Sequence, residues 1–511
     1  MFIARNILVE IKDKRDLKEH ISKKFNLASE QIESIEIIRR SIDARKRGRL
    51  KFNYTVLCEI SGNFKSHPEL VKYSPKPAPK LFKKKIINNP LIIGTGPAGL
   101  FAALSLVEQG FSPILFERGK EIVDRNKDVM DFWENSILNP ESNVQFGEGG
   151  AGTFSDGKLT SRGKDFFTSN VFDLLIKFGA DPDIKVNALP HLGTDGLKKI
   201  VLNIRKYLIE NGCEFHFNSK FEDLKSENGR VTKIKINGSW LESETIILAI
   251  GNGARDTYRM LSESIRMESK PLAIGFRIEH PIDFINQAFY GKNTDFNVSG
   301  AATYRLTAKY KERGIYSFCM CPGGKVIAAS SGFGQVVTNG MSYSLRDNNF
   351  SNSAIVATLN ENDYGTGIFA AMDFQETLEK KCFNPDLPYH APSQNAEDYL
   401  NNTTSKKVRT NSYRPAIYNA NLNDFFSKSI NSALKAGLYK FEKTAPGFIK
   451  NGVLIAPETR TSAPVRILRD REKFNSIGLD NFYPIGEGSG YAGGIISSAV
   501  DGYKVGKIFQ K

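Results

Sequence analysis

The 511-residue sequence contains few cysteines and no long apolar segment. Five cysteines spread over this length do not make a disulfide framework, which favours a reducing compartment. No run of about 18 apolar residues is present, so no segment is expected to span a membrane. The first residues, MFIARNILVEIKDK, lack the pattern of a signal peptide. We therefore expect a soluble, cytoplasmic protein.

The net charge of +14 is concentrated in the N-terminal part of the chain. Residues 1–90 contain 21 Lys and Arg against 10 Asp and Glu, whereas the other 421 residues contain 49 against 46. The overall basicity thus describes one module and does not by itself indicate a nucleic-acid-binding protein.

The N-terminal module has its own pattern of elements. Residues 1–60 are predicted to form a strand, a helix and two further strands, an order that suits a small ferredoxin-like α/β module. Residues 61–86 are rich in Pro and Lys and lack periodicity, which predicts a linker.

A dinucleotide-binding fingerprint follows the linker, in LIIGTGPAGLFAALSLVEQGFSPILFERG. A buried strand leads into Gly94-x-Gly96-x-x-Gly99, an apolar helix and a second strand that ends at Glu117. The glycines permit a tight turn, close approach of a pyrophosphate and close packing of helix on strand, and the acid can accept hydrogen bonds from ribose. We interpret this βαβ unit as the start of a Rossmann-like domain.

Two later strands also end in glycine-rich turns. Residues 246–250 run into Gly251 and Gly253, and YPIGEGSGYAGGI places Gly486 and Glu487 after an apolar strand. Residues 271–430 have more strand-like and aromatic segments. The sequence therefore predicts an α/β fold in which residues 87–270 and 431–511 form the nucleotide-binding domain, and residues 271–430 form an inserted mixed α+β substrate or cap domain.

This arrangement resembles the flavoprotein superfamily around glutathione reductase. The resemblance implies that Glu487 binds the ribityl chain and that the backbone of Gly493, Gly494 and Ile495 faces the flavin. A second full fingerprint and a Cys-x4-Cys pair after the first one are both missing from the sequence. We therefore expect bound FAD without a dedicated nicotinamide domain, with NAD(P)H at most a transient reductant.

Longer motifs narrow the resemblance to the bacterial family of FAD-dependent dehydrogenases. They are FGEGGAGTFSDGKLTSR, RGIYSFCMCPGG, VVTNGMSY, ETRTSAPVRI and YPIGEGSGYAGGIISSAVDG, and the likeness covers nearly the whole chain. The resemblance implies the fold and the FAD cofactor, and our leading hypothesis for the reaction is hydride transfer between a small molecule and flavin N5. Relatives often carry His-Ser where this chain has Asn252-Gly253, so a proton donor is not expected there.

The stretch GTFSDGKLT nearly matches a triphosphate-binding loop, but Leu159 stands where the magnesium-binding hydroxyl is required. It fits better the superfamily's Gly-Gly…Ser-x-Gly loop over the flavin, with Lys158 close to the cofactor or, alternatively, on a surface turn. The residues predicted to bind FAD are Gly94, Gly96, Pro97, Ala98, Gly99, Glu117, Arg118, Gly149, Gly150, Ser155, Gly157, Lys158, Gly251, Gly253, Gly486, Glu487, Gly493, Gly494 and Ile495.

Three residues are candidates for catalysis: Lys158, Arg277 and His280. Arg277 lies on one face of a predicted strand with Glu279, either as an anion-binding pair or as a structural ion pair. His280 is a candidate general acid or a solvent-side histidine. Further candidates for binding an acidic substrate are Arg414, Arg460 and Arg466.

Cys319 and Cys321 are either redox partners or packing residues. A metal site is not predicted, because no second cysteine pair or histidine cluster completes a ligand set.

The connector from Arg39 to Lys51 holds seven basic residues and is followed by Phe52 and Tyr54. It could bind RNA phosphates or form a solvated hairpin tip, and nucleic acid is the less favoured partner. The leading hypothesis is thus a FAD-dependent oxidoreductase of a small molecule, for which an anion is one candidate class. The alternatives are an RNA-associated flavoprotein and a reductase of isoprenoid lipids.

Overall fold

The N-terminal segment folds around a four-stranded antiparallel sheet. The computed structural model describes residues 1–160, 165–292 and 294–511. The first elements are β1 (Phe2–Glu10), α1 (Leu17–Phe25), β2 (Ile32–Asp43), β3 (Lys51–Ile60), β4 (Leu70–Lys72) and β5 (Lys84–Lys85). The strand order is β2-β3-β1-β4, and helix α1 buries Ile21 and Phe25 in the module's own core.

The predicted linker is structured at two places. Strand β4 pairs with β1 in the N-terminal sheet, since Leu70 fills the module's core. Strand β5 pairs with the last strand of the chain, β25. Composition alone could not show these pairings, because both depend on residues far away in the sequence.

The next segment builds a parallel sheet and its helices. Its elements are β6 (Leu91–Ile93), α2 (Pro97–Val107), β7 (Ile114–Phe116), α3 (Ile122–Asn135), α4 (Thr168–Lys177), α5 (Gly193–Glu210), β8 (Glu214–His216), β9 (Phe221–Glu227), β10 (Arg230–Ile236), β11 (Ser239–Glu242), β12 (Ile246–Leu248), α6 (Arg255–Leu261) and β13 (Met267–Ser269). The strands β6 and β12 are short, wholly apolar and buried, as expected for parallel strands covered on both faces.

The third segment forms a seven-stranded sheet. Its elements are β14 (Leu272–Pro281), α7 (Ile282–Tyr290), α8 (Phe296–Ser299), β15 (Thr307–Tyr310), β16 (Arg313–Cys321), β17 (Lys325–Ala328), β18 (Thr338–Met341), β19 (Phe350–Leu359), α9 (Glu361–Tyr364), α10 (Ala370–Lys381), β20 (Ala391–Asn395), α11 (Ala396–Leu400), β21 (Ile417–Asn419), α12 (Lys428–Thr444) and β22 (Val453–Glu458). The order is β15-β16-β19-β14-β22-β20-β21.

The position of β22 differs from the predicted domain boundary at residue 430. This strand lies between β14 and β20 in the seven-stranded sheet, although the sequence placed it with the nucleotide-binding domain. Its run Val-Leu-Ile-Ala is as apolar as a parallel-sheet strand, so periodicity does not tell the two sheets apart.

The C-terminal segment returns to the parallel sheet through β23 (Val465–Ile467), β24 (Phe482–Pro484), α13 (Ile495–Ile508) and β25 (Phe509–Gln510). The sheet order is β24-β12-β6-β7-β8, all parallel. Numbered along the chain, this is 5-4-1-2-3, the order of dinucleotide-binding sheets. Helices α13 and α2 cross closely, since a Cβ on Gly502 would lie 2.0 Å from the Ala98 carbonyl oxygen.

None of the helices in the described residues combines the length and the apolar character needed to cross a bilayer.

Candidate functional site

A single cleft of about 1810 Å³ runs along the carboxyl edge of the parallel sheet. The turns after β6, β12 and β24 all open into it. In open α/β sheets, ligands bind at this edge where the strand order reverses, here between β6 and β12. Since pockets for single small ligands measure roughly 300–1,000 Å³, this cleft has room for a dinucleotide and a second molecule.

The cleft contains two helix N-termini that lack a side-chain cap. Helix α2 starts after Gly96 and helix α13 after Gly494, and neither N-cap residue has a side chain that could accept from the first turn. Free N–H groups and the positive end of the helix dipole make such termini binding places for anions. Both ends are therefore suited to the negative groups of one extended cofactor.

Glycine is required by geometry in the first turn. Gly94 has φ +103°, and a Cβ there would lie 2.3 Å from the Ala249 carbonyl oxygen. A Cβ on Gly99 would lie 1.9 Å from the Gly94 carbonyl oxygen, which explains the third glycine of the fingerprint. The backbone of Gly150 approaches Gly96 at van der Waals distance, so the glycine-rich loop sits directly against the first turn.

The Glu117 carboxylate is hydrogen-bonded to the first turn and to the loops beside it. One carboxylate oxygen accepts from the amide and hydroxyl of Thr95 at 3.0 and 2.9 Å, and the other accepts from the amides of Gly119 and Gly147, both at 3.0 Å. A carboxylate has about four acceptor positions, so these donors already use its capacity. Glu117 lines the cleft as predicted, and its observed contacts are those of a residue that positions the loops.

Arg118 is held at the cleft wall by two acids. It forms two hydrogen bonds of 3.0 Å with Asp256 and one of 2.7 Å with Glu141, and its guanidinium lies 4.0 Å from the centre of the Phe146 ring. Lys220 shares both carboxylates. The charge of Arg118 is thus already balanced within the protein.

The third turn is tied to the second by Glu487. Its carboxylate accepts from the Asn252 side-chain amide at 2.9 Å and from the Gly494 amide at 3.4 Å. Burial raises the pKa of Glu487, against the lowering effect of these two hydrogen bonds. Asn252, at the position where the resemblance expects histidine, therefore orients the Glu487 carboxylate. Its side-chain amide does not ionise, so it cannot act as a general acid.

The glycine-rich loop depends on Arg125, which the sequence analysis did not identify. This fully buried side chain of α3 donates to loop carbonyl oxygens of Asn143, Val144, Gly147, Glu148 and Gly150, at 2.7–3.3 Å. A Cβ on Gly147 would lie 2.3 Å from the Arg125 side chain, so the loop closes tightly around it. Backbone acceptors leave no mark in a sequence, and a charged residue on an amphipathic helix is usually exposed.

Most of the predicted cofactor residues line the cleft. Those that do are Gly94, Gly96, Pro97, Ala98, Glu117, Arg118, Gly150, Ser155, Gly157, Lys158, Gly251, Gly253, Glu487, Gly493, Gly494 and Ile495. Gly99, Gly149 and Gly486 are not on its surface, and each meets neighbouring atoms within 2.6 Å of a Cβ built on it. These three glycines permit close packing behind the turns.

Comparisons with known proteins bear on this cleft. The profile of a family described as FAD-dependent protein, C-terminal domain-like, matches residues 271–461, and residues 5–59 match a domain of unknown function. An uncharacterized protein of Clostridium beijerinckii is 43% identical over an alignment that covers 97% of this chain and 96% of that protein. The chain belongs to the family of that protein. FAD is the cofactor of this chain.

Solved flavoproteins and dehydrogenases share only a distant likeness with the chain. L-proline dehydrogenase from P. horikoshii is 10% identical, with a TM-score of 0.39 over 84% of this chain and 93% of that one. A geranylgeranyl bacteriochlorophyll reductase-like protein from Thermoplasma acidophilum is 12% identical, with a TM-score of 0.36 over 83% of this chain and 78% of that one. Scores of this size carry no argument about chemistry.

The residues of the cleft fit FAD. The anionic pyrophosphate needs free N–H groups at a helix N-terminus and a neighbouring backbone without side chains. Helix α2 begins uncapped after Gly96, and a Cβ on Gly94 would clash with its neighbours, so this turn meets both needs. The turn before α13 provides open backbone at Gly493 and Gly494, where a Cβ would meet nothing within 4 Å.

Lys158 lies at the boundary between the glycine-rich loop and the seven-stranded sheet. Its ammonium donates to the carbonyl oxygen of Met320 and lies 3.7 Å from Asp156. Burial opposes its charge, but Cys319, Cys321 and Asp156 outweigh this and raise the pKa of Lys158. Lys158 lines the cleft, and its ammonium is directed to the Cys319–Cys321 segment; its predicted place beside the cofactor stays a prediction.

Arg277 lies behind the cleft wall, where it pairs with Glu458 at 3.3 Å and donates to Asn352 at 2.8 Å. Glu279, its predicted partner, instead binds the amide and hydroxyl of Ser412. Both side chains are on one strand face as predicted, but each has a nearer partner on another segment.

Glu458 is the acid that the sequence analysis missed. It ends β22, is only 3% exposed, and lines the cleft. Burial raises the pKa of Glu458 to about 7, against the lowering effect of Arg277. Its position in ETRTSAPVRI was visible, but its burial follows from the place of β22 in the sheet.

His280 is a buried core residue and does not line the cleft. Its Nε2 is 2.8 Å from the Phe448 carbonyl oxygen, and its ring stacks on Phe284 and packs against Phe448. Neither predicted position, at the active site or in solvent, is correct. Burial lowers the pKa of His280 to about 4, so the ring is neutral at physiological pH.

We expect His280 to make folding sensitive to acid. Between pH 6.5 and about 4 the unfolded histidine binds a proton and the folded one does not, so roughly 3 kcal/mol of stability is lost as the pH falls through this window. In His280→Phe this part of the pH dependence should disappear from denaturant unfolding curves. The control is His216→Phe at an exposed position; a His280→Phe slope equal to that of the wild type would contradict the assignment.

Three further arginines predicted to bind an acidic substrate have partners within the protein. Arg460 pairs with Glu379 at 3.3 Å and lines the cleft, Arg466 pairs with Glu268 at 2.6 Å, and Arg414 donates to the Tyr413 carbonyl oxygen. Of these, only Arg460 reaches the cleft.

The basic connector packs against the rest of the chain. Arg40 binds Asp183 and Asn187, and Arg47 donates to the Thr444 carbonyl oxygen at 2.6 Å. Arg39 lines the cleft. Part of the predicted nucleic-acid surface thus serves contacts within the protein, and RNA binding stays a prediction.

Ser161 and Arg162, in the motif that carries the resemblance, lie outside the described residues.

Proposed function

We propose that this chain is a FAD-dependent oxidoreductase that acts on a small anionic molecule. The observation that carries the proposal is the shared cleft. Its floor has the two uncapped helix N-termini, and its wall has a buried acid and the two exposed arginines Arg39 and Arg305. FAD supplies the capacity to accept or donate a hydride at this place.

The residues that would hold FAD follow from the turns. The backbone at Gly96, Pro97 and Ala98 would bind the pyrophosphate, and Glu487 would accept from the ribityl chain. The N-terminus of α13 at Gly494 would favour negative charge on the flavin. These assignments combine the uncapped helix ends with the hydrogen bonds that hold Glu487 in place.

Glu458 would hold or release the proton that accompanies hydride transfer. A general acid or base works best when its pKa is near the ambient pH, and burial raises the pKa of Glu458 to about 7. Arg277 is then a positioning residue, because its guanidinium binds Glu458 and stays fully buried.

Arg39 and Arg305 support an anionic substrate. Both are exposed side chains that line the cleft, one from the N-terminal sheet and one from the loop before β15. Within residues 1–160, 165–292 and 294–511, neither pairs with a carboxylate. Arginine at such places binds carboxylate or phosphate through paired hydrogen bonds.

The domain organisation belongs to this proposal. A ferredoxin-like module of residues 1–60 would border the cleft through Arg39, and an inserted domain of residues 271–461 would cover the Rossmann-like domain. The place of β22 in the seven-stranded sheet and the span of the family match at 271–461 support the limits of the inserted domain, whereas β4 extends the sheet of the N-terminal module to Lys72.

We expect FAD in the purified protein to be reduced without oxygen by NADH, by NADPH or by a small carboxylate or phosphate. The measurement is bleaching of the flavin absorption, with each carboxylate compared to its neutral amide. In the Arg39→Ala, Arg305→Ala double variant, the rate of flavin reduction should fall by roughly tenfold or more for the carboxylate but not for its neutral amide. The reason is that each lost charge-assisted hydrogen bond costs about 1.5–3 kcal/mol. Lys309→Ala, an exposed lysine on β15, is the control. An oxidised spectrum with every compound would refute the oxidoreductase.

A further inference from the structure

Strand β16 ends in Cys319-Met320-Cys321 at a β-bulge. Its pairing with β19 is regular to Phe318 and resumes only at Cys321. Between them, Cys319 has φ +44°, in the left-handed region that a residue other than glycine rarely adopts. Such strain persists only where the surrounding structure holds it, and it is concentrated at functional sites.

The bulge brings the two cysteines together at the cleft. The Cys321 thiol donates to the Cys319 carbonyl oxygen at 3.2 Å. Cys319 is half-buried and lines the cleft, whereas Cys321 is fully buried behind it. One sulfur can therefore meet a ligand, and the other can reach only its neighbour.

Two cations hold this segment. Arg277 donates to the Cys319 carbonyl oxygen at 2.8 Å and lies 3.8 Å from the Cys321 sulfur. Lys158 donates to the carbonyl oxygen of Met320, between the two cysteines. The facing acids are Asp156 and Glu458, at the other side of these cations.

The cations activate one thiol of the pair. The hydrogen bond from Cys321 lowers the pKa of Cys319, and Lys158 and Arg277 lower it further against the effect of burial. The same hydrogen bond raises the pKa of Cys321, so the thiolate of the pair is Cys319, the sulfur that lines the cleft.

The pKa values of the other three cysteines are shifted in the opposite direction to that of Cys319. Cys58, Cys213 and Cys382 are buried, and burial raises the pKa of Cys58 to about 11, that of Cys213 to about 12 and that of Cys382 well above its ordinary value. They provide internal controls for any thiol reaction.

We propose that Cys319 and Cys321 form a reversible dithiol–disulfide pair that reduces a low-molecular-weight disulfide entering the cleft. The Cys319 thiolate attacks one sulfur of the ligand, the ligand's S–S bond breaks, and the first thiol leaves with a proton. Cys321 then gives up its proton and attacks the Cys319 sulfur, which releases the second thiol. The Cys319 thiolate, the Cys321 thiol and the ligand disulfide become one protein disulfide and two thiols, one of which takes its proton from water, so two electrons pass to the ligand.

This exchange needs no turnover of FAD, so its test is separate from that of the oxidoreductase. The FAD-loaded full-length protein is reduced, freed of reductant without oxygen, and incubated with oxidised glutathione. It is then quenched in acid, denatured and labelled with N-ethylmaleimide, and the labels are counted by mass. The five cysteines should carry five labels before the reaction and three after it, with Cys319 and Cys321 protected.

Variants separate the two roles. Cys321→Ser should trap one glutathione on Cys319, because the resolving thiol is missing. Cys319→Ser should give no adduct and lose no label, and Cys382→Ser should still lose two labels. Five labels in the wild type after oxidised glutathione, or no adduct in Cys321→Ser, would overturn the proposal.

Lys158→Met tests the activation of the thiol in the Cys321→Ser background. The pH profile of Cys319 alkylation by iodoacetamide should move to higher pH, and the rate below the midpoint should fall roughly tenfold for each pKa unit gained. Lys309→Met, far out on β15 and exposed, should leave the profile unchanged. A purely structural Lys158 would not move the midpoint, and an unmoved midpoint contradicts the assignment.

Discussion

Arg125→Met is expected to release FAD from the protein and to lower the free energy of unfolding by at least about 3 kcal/mol. The buried guanidinium makes its closest contacts with the loop at Glu148, 2.7 Å, and Asn143, 2.9 Å. Each hydrogen bond to a charged group contributes about 1.5–3 kcal/mol, and methionine would leave several buried carbonyl oxygens without a donor.

The loss of FAD follows from the position of the loop. A Cβ on Gly150 would lie 3.1 Å from the Cα of Gly96, at the start of the α2 helix. When the loop is no longer held by Arg125, the backbone around this helix N-terminus loses its fixed shape. The flavin-to-protein absorbance ratio of the purified variant measures the cofactor, and denaturant unfolding measures the stability.

Two variants frame this result. Lys127→Met, on the same helix in an exposed pair with Asp124, should change the stability by less than about 0.5 kcal/mol and retain FAD. Arg125→Lys keeps the charge but loses the planar guanidinium group. Its stability and its FAD content should therefore lie between those of the wild type and those of Arg125→Met. If Arg125→Met is as stable and as yellow as the wild type, the loop does not depend on this side chain.

The sequence predicted what depends on local geometry. The turn at Gly94 has its fingerprint because its glycines solve steric problems within a few residues, and this fingerprint predicts a bound dinucleotide, which the family resemblance narrows to FAD. The single residue Leu159 likewise argued against a triphosphate-binding loop, because it stands where the magnesium-binding hydroxyl is required.

Residues whose role depends on distant partners could not be predicted. Arg125 binds backbone atoms, which any sequence provides. Glu458 becomes buried because β22 joins β14 rather than the parallel sheet. His280 occupies a core position that alternation along β14 could not reveal, because that strand is buried on both faces through His280. In each case the side chain was visible, but its surroundings were determined by tertiary contacts.

The second large effect is expected from Glu379→Gln, which should lower the free energy of unfolding by about 3–5 kcal/mol at neutral pH. Glu379 of α10 is fully buried and binds Arg255 at 2.7 and 2.8 Å, Arg460 at 3.3 Å and the Thr459 hydroxyl at 2.6 Å. Glutamine keeps the shape but leaves two arginine charges without their acid. Since Arg255 belongs to α6 and Arg460 follows β22, the variant weakens the contact between two segments of the fold.

The pH dependence gives this prediction its sharpest test. Burial opposes the charge of Glu379, but Arg460 and Arg255 outweigh it and lower the pKa to about 2 from an ordinary value of 4.5. The lowered pKa means that the stabilisation is complete above pH 4.5 and is lost as the pH falls towards 2, by roughly 3 kcal/mol in all. The gap between wild type and Glu379→Gln should therefore narrow in acid.

The control is Glu376→Gln on the same helix, where the carboxylate, 24% exposed, pairs with the exposed side chains of Lys380 at 2.8 Å and Arg259 at 3.6 Å. A surface pair contributes less than about 1 kcal/mol, so this variant should stay close to the wild type at every pH. A gap of similar size for both variants, or one that does not change with pH, would show that Glu379 is not held as an anion.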